Sequence, residues 1–133
     1  MRKLAFILLA IVSMLVLGAC NNADSGNENS GGKLYEDVTV GQAKKLIDND
    51  EVVVIDVRTQ GEYDEGHIPN AMLIPVDEID NRMEEMDKDA PYLIVCRSGN
   101  RSATASELLA KNGFEKVKNM EGGMNKWTYE VDR

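Results

Sequence analysis

Short, continuous apolar runs punctuate this chain, separated by polar stretches with helical spacing. Glu51-Val52-Val53-Val54-Ile55 and Tyr92-Leu93-Ile94-Val95 do not alternate apolar with polar, which is the pattern of strands buried on both faces of a parallel sheet. Ala71-Met72-Leu73-Ile74 is a third such run, Lys116 to Met120 a weaker fourth, and Tyr35 to Val38 an edge strand. Between them, Thr39 with Gln42 and Thr59 with Glu62 have the spacing of capping boxes, each opening a helix. The first helix runs through Ala43, Leu46 and Ile47 to Asp48. Another spans 77–86, with Ile79, Met83 and Met86 on its core-facing side. The last runs from Ser102 to Asn112 and stops at Gly113 in the C′ position. Strands alternating with helices predict an α/β layer fold with right-handed crossovers. Ligands in such sheets bind beyond the C-terminal strand ends, where Cys96 falls.

The N-terminus follows a different rule. Arg2 and Lys3 precede Leu4 to Leu17, a run that is apolar apart from Ser13, and Gly18 and Ala19 lead into Cys20. A basic n-region, a short apolar h-region and small residues at the cut mark a secretory signal peptide over 1–19. The run falls short of the about 20 apolar residues that a membrane span needs. Leu17-Gly18-Ala19-Cys20 resembles the bacterial lipobox, which implies lipidation of Cys20 and an extracytoplasmic protein held at the cell membrane by that anchor. Residues 20–32, rich in Asn, Ser and Gly, have almost nothing to bury and read as a flexible tether. The folded unit is then 33–133, enough for one modest core and one domain.

Charge narrows the partners. Without Arg2 and Lys3 the chain keeps 13 basic against 23 acidic residues, a net charge of −10. Nucleic acid is not a partner for such a surface, because phosphate backbones reward Lys and Arg. There are two cysteines, so a lipidated Cys20 leaves Cys96 without an intramolecular partner and excludes a disulfide framework. An unpaired thiol outside the cytoplasm is exposed to oxidation, and retaining one points to a reactive role.

The candidate chemistry sits in Cys96-Arg97-Ser98-Gly99-Asn100-Arg101. The thiol ends a buried strand, enters a short loop flanked by arginines, and faces a helix N-terminus. Cations and the helix dipole both favour the thiolate, which is the nucleophilic form. Four residues between Cys96 and Arg101 make a loop small enough to curl its N–H groups around the sulfur as an anion-binding nest. Gly99 supplies the left-handed backbone that such a curl requires.

This loop resembles the active loop of the rhodanese family, the single-domain sulfurtransferases. Asp56-Val57-Arg58 with Glu62-Tyr63 and Gly66-His67-Ile68-Pro69-Asn70-Ala71 resembles the family's upstream signature, and Gly122-Gly123 with Trp127 its C-terminal one. The resemblance covers Leu34 to about Trp127. It implies a three-layer fold with a central, mostly parallel five-stranded sheet flanked by helices. It also implies transfer of a sulfane sulfur from a donor such as thiosulfate, through a Cys96 persulfide, to cyanide or a thiol, with no metal and no cofactor. Cys96 and Arg101 are then the catalytic pair, with Arg97, Ser98, Gly99, Asn100 and Arg58 around the anionic donor. Asp56 and His67 are structural residues near the site. Gly66-His67-Ile68-Pro69 reads as a loop entering the third strand, with the imidazole bonded locally rather than paired with the thiol.

Two other readings stay open. A cysteine phosphatase or arsenate reductase uses a related loop, but with five residues between Cys and Arg; one residue fewer tightens the cradle and favours sulfur. A persulfide carrier or binding module would load sulfur and turn over poorly.

Overall fold

The computed structural model describes residues 32–133. The predicted signal peptide, Cys20, and all of the tether except Gly32 lie outside the described residues. The elements run β1 (Glu36–Val38), α1 (Val40–Asp48), β2 (Val53–Asp56), α2 (Gln60–Glu65), β3 (Met72–Leu73), α3 (Ile79–Arg82), β4 (Tyr92–Val95), α4 (Asn100–Lys111) and β5 (Val117–Met120). Short 3₁₀ turns follow α3 (Met83–Glu85) and β5 (Gly123–Lys126). The five strands form one sheet in the order β1-β5-β4-β2-β3, and every pairing is parallel. The expected "mostly parallel" sheet is therefore entirely parallel.

The apolar runs behave as their continuity predicts. All four residues of β4 are buried, and successive side chains enter different cores. Tyr92 and Ile94 join Ile55, Ile79, Leu109 and Phe114 on the face covered by α3 and α4. Leu93 and Val95 join Val38, Ala43, Val54 and Met120 on the face covered by α1, where Tyr63 of α2 also packs. Each fully buried Ile or Leu contributes about 1.5–3 kcal/mol, so β4 is the seam on which both layers depend.

Local signals fix the ends of the helices. Thr39 and Thr59 are N-caps, each completing a capping box with Gln42 and Glu62. Gly113 takes φ 92° just past the cap of α4, a backbone angle that costs glycine little. The helix expected over 77–86 is broken. Only Ile79–Arg82 is α-helical, and Met83–Glu85 tightens into a 3₁₀ turn before Met86 becomes extended. Two causes are visible: Glu78 makes no side-chain cap, and Glu84 and Glu85 would place negative charge at a helix C-terminus, which the dipole disfavours. Ile79 and Met83 are buried all the same, as the apolar spacing requires.

Candidate active site

The site is built where β4 ends and α4 begins. Cys96 has 0% exposure and forms no disulfide among the described residues. Its Sγ accepts a hydrogen bond from the Gly99 N–H at 3.1 Å and lies 3.3 Å from the Ser102 hydroxyl. Gly99 caps α4 with φ 101°, a left-handed turn that folds the loop back over the sulfur. Burial works to raise the thiol's pKa. The Ser102 hydroxyl and the N–H groups of Ser102, Gly99 and Ser98 together outweigh that and hold it below the ordinary thiol value. A thiolate inside this ring is stabilised by groups already in place.

Ser102 was not among the residues singled out from the sequence. It opens the run assigned to the last helix, and its hydroxyl meets the sulfur only because α4 begins two residues earlier, at Asn100. The rate of iodoacetamide alkylation of Cys96 against pH is expected to show a midpoint below that of an ordinary thiol, about 8.5. Ser102→Ala should move the midpoint up by removing a donor to the charged form; an unmoved midpoint would show that the hydroxyl does not hold the thiolate. The same depression has a sign for stability. Ionised Cys96 stabilises the fold fully above the unfolded thiol's pKa, and that contribution is lost as pH falls through the lower folded value.

The two flanking arginines are arranged differently from the sequence expectation. Both reach Glu62 on α2: Arg101 through its two Nη atoms at 2.8 Å each, and Arg97 through Nε at 2.8 Å. Bonding from Arg101 is the largest cause pulling the Glu62 carboxyl far below the ordinary carboxylate range, with help from Thr59 and Arg97. Glu62 neutralises one of these two positive charges, and the groups in direct contact with the sulfur are a hydroxyl and a peptide amide. The capping-box acid of α2 clamps α2 to the cysteine loop, a role its local spacing could not disclose. Arg97 remains exposed, whereas Arg101 is half-buried. Ser98 and Asn100 are exposed on the loop.

Arg58 was placed with the substrate-facing residues, but its geometry is that of a brace. It is 5% exposed, and its Nε and Nη2 bond the carboxylate of Asp56, itself 1% exposed. Nη2 also donates to the Gly66 carbonyl at 2.8 Å. The chain leaving β2 is thereby tied to the end of α2. Arg58 nonetheless lines an open cleft with Glu62, Arg97, Asn125 and Trp127. His67 stacks on Tyr63 with ring centroids 3.6 Å apart, places Nδ1 2.9 Å from the Tyr63 carbonyl oxygen, and pairs its backbone with Asp132. Its contacts are local and do not include Cys96.

Gly122-Gly123 explains why the loop keeps its shape. The 3₁₀ turn that begins at Gly123 donates Met124 N–H to the Cys96 carbonyl at 2.8 Å and Asn125 N–H to the Arg97 carbonyl at 2.9 Å. Carbonyls engaged there leave the following N–H groups to face the sulfur. Gly123 has φ 56°, and a Cβ on it would stand 2.4 Å from the Cys96 oxygen. Gly123→Ala is therefore expected to cost about 2–4 kcal/mol, from the left-handed backbone and the overpacking together, and to slow Cys96 alkylation. Urea unfolding checks it, with Gly61→Ala, where a Cβ meets nothing within 4 Å, as the control.

The architecture has clear counterparts among known proteins. The Rhodanese-like domain family matches residues 39–130. A sulfurtransferase of Allochromatium vinosum is 39% identical over 85 residues, 64% of this chain and 79% of that protein. The thiosulfate sulfurtransferase GlpE of Pseudoalteromonas translucida is 34% identical over 93 residues, 70% of this chain and 89% of that protein. A Bacillus subtilis relative, 38% identical over 90 residues, is longer, and the chain spans 49% of its length. Among solved structures, a rhodanese-like domain protein from Staphylococcus aureus superposes with a TM-score of 0.67 at 38% identity, covering 73% of this chain and 96% of that one. A rhodanese-related protein from Thermoplasma volcanium gives 0.68 at 32% identity, over 74% and 98%. The matched span takes in strands β2 to β5, the cysteine loop with its amide ring and the Gly122-Gly123 turn beneath it, and the chain belongs to the rhodanese-like domain family.

Proposed function

We propose that the protein is a sulfurtransferase that carries sulfur as a persulfide on Cys96, taking it from an anionic donor such as thiosulfate and passing it to cyanide or a thiol. The observation that carries this reading is the Cys96 Sγ held between the Gly99 N–H and the Ser102 hydroxyl, a ring that suits a negatively charged sulfur. The names of the relatives support sulfur transfer in general.

In the loading step the Cys96 thiolate attacks the outer sulfur of thiosulfate. A new S–S bond forms, the donor's own S–S bond breaks, and sulfite leaves with the electron pair. Arg97, exposed at the rim with only its Nε committed to Glu62, draws the anion in. Arg58 braces the cleft wall. Arg101, locked to Glu62, fixes the loop's far end. Ser98, Gly99 and Asn100 supply the curled backbone. A diacylglycerol on Cys20 would keep this chemistry outside the membrane, at its surface, and loss of fatty-acid label in Cys20→Ala checks the anchor.

Intact mass after incubation with thiosulfate tests the reading. The expected result is a gain of one sulfur atom with stoichiometric release of sulfite. Assays with an aryl phosphate and with arsenate should give no turnover. No mass gain, or phosphate release in its place, overturns the proposal. Steady turnover with cyanide separates an enzyme from a carrier that loads and stalls.

A further inference from the structure

Glu62 is more heavily engaged than its place in α2 requires. A capping box asks the N3 side chain to accept the N-cap N–H, and Glu62 does so from Thr59 at 3.0 Å. The same carboxylate also accepts the Thr59 hydroxyl at 3.0 Å, Nε of Arg97 and both Nη atoms of Arg101, each arginine contact at 2.8 Å. Helix α1 shows what capping alone needs. There a neutral Gln42 closes the equivalent box on Thr39, accepting its N–H at 2.8 Å. The negative charge at position 62 therefore serves something other than the helix end.

Its effect falls on the mouth of the cysteine loop. Arg101 is held protonated first by its bonds to Glu62 and further by the charges of Cys96 and Asp56, against its burial, so the guanidinium and the sulfur feel one another. Arg97 and Arg101 against Glu62 leave a single net positive charge. Arg58 adds none, because Asp56 answers it, and Glu65 is exposed on the outer wall of the cleft, where solvent screens it.

The proposed reaction passes a series of anions through this mouth. Thiosulfate enters, sulfite leaves, and the acceptor follows. With cyanide, the carbon attacks the outer sulfur of the persulfide and forms an S–C bond. The S–S bond breaks, Sγ keeps the electron pair as the Cys96 thiolate, and thiocyanate departs. A mouth that bound every anion more tightly would lower KM without speeding the chemical step, and it would retain sulfite.

We propose that Glu62 is a positioning residue that acts through Arg97 and Arg101, cancelling one of their two charges so that the mouth admits an anionic donor and still releases the anion it produces. The inference rests on the Cys96 persulfide reading.

The test compares four proteins in thiosulfate–cyanide turnover, the parent's sulfur loading first verified by mass. Glu62→Gln keeps the cap, as Gln42 does in α1, and leaves two net positive charges. Arg97→Gln, at an exposed position, leaves none, and the double variant restores one. The inhibition constant for sulfite should follow that order. Glu62→Gln should lower it, and the KM for thiosulfate with it, by about two- to fivefold, the range of a partly screened ion pair. Arg97→Gln should raise it, the double variant should match the parent, and the spread should narrow at high salt. The pH midpoint of Cys96 alkylation should fall in Glu62→Gln, since a nearby negative charge is gone. A carboxylate that served only as a strut would do the opposite: the loop would loosen, and both constants and the midpoint would rise. That result, or a double variant that stays apart from the parent, overturns this inference alone. A parent that takes up no sulfur from thiosulfate overturns the sulfurtransferase reading, and this inference with it.

Discussion

A Cys96→Ser protein is expected to keep its fold and to take up no sulfur from thiosulfate. The substitution replaces one small buried atom by another, and the ring that surrounds it can still serve. The Gly99 N–H and the Ser102 hydroxyl that meet Sγ can bond a hydroxyl oxygen, so the change does not leave a buried polar group unsatisfied. Stability should shift by about 1 kcal/mol or less, in the range of mutations that create no large cavity or orphan. Chemistry has no such substitute. A serine hydroxyl stays protonated where a thiol has already ionised, and removing a nucleophile costs about 10³-fold or more. Mass spectrometry should find no added sulfur and sulfite release at background, while circular dichroism and urea midpoints match the parent. Sulfur found elsewhere on the variant would move the reactive centre away from this loop.

Asp56→Ala should have the largest effect on stability. Asp56 and Arg58 are buried together at the C-terminal end of β2, with Arg58 Nη2 2.7 Å from Asp56 Oδ2. Both charges have left water, and neither has another charged partner in the bonds they make. Removing the carboxylate strands the guanidinium in the protein interior, which costs about 3–5 kcal/mol. For a domain of this size that corresponds to a fall in Tm of about 4–8 °C for each kcal/mol. A paired Asp56→Leu, Arg58→Met replacement should recover much of the loss, because no charge is then left buried alone. Urea unfolding of the single and paired variants decides it: a single-variant loss below about 1 kcal/mol would mean that solvent reaches the pair.

What could be read from the chain in advance follows the range of the interaction. The capping boxes at Thr39 and Thr59, the stop at Gly113 and the four-residue run of β4 are set by neighbours within a turn or two, and composition displays them directly. Gly99 and the curl of the loop belong to the same class. Glu62 does not. Its helix-capping role is local, but its clamp on Arg97 and Arg101 joins residues 35 and 39 positions apart. Nothing in its flanking sequence distinguishes a capping glutamate from a capping glutamate with two further partners. The bracing role of Arg58 is hidden for the same reason, since a guanidinium near a candidate site discloses its Asp56 and Gly66 partners only in the folded chain. The break in the 77–86 helix is a competition between short-range terms. The apolar spacing was satisfied by Ile79 and Met83, and the missing cap with the two terminal glutamates decided the backbone.

The pairing of β1 with β5 has a consequence for how the molecule is made. In the sheet order, β1 touches only β5, so Glu36 must wait for Lys118, 82 positions later, to complete its register. A nascent chain can assemble β2, β3 and β4 as they emerge, yet its earliest strand stays without a neighbour until synthesis is nearly over. Closure at such long sequence separation is slow, which places the docking of β1 among the final events of folding. Pulse-labelled hydrogen exchange should find the amides of 36–38 protected after those of 92–95. Ribosome-stalled chains ending before residue 117 should leave the first strand open to proteases.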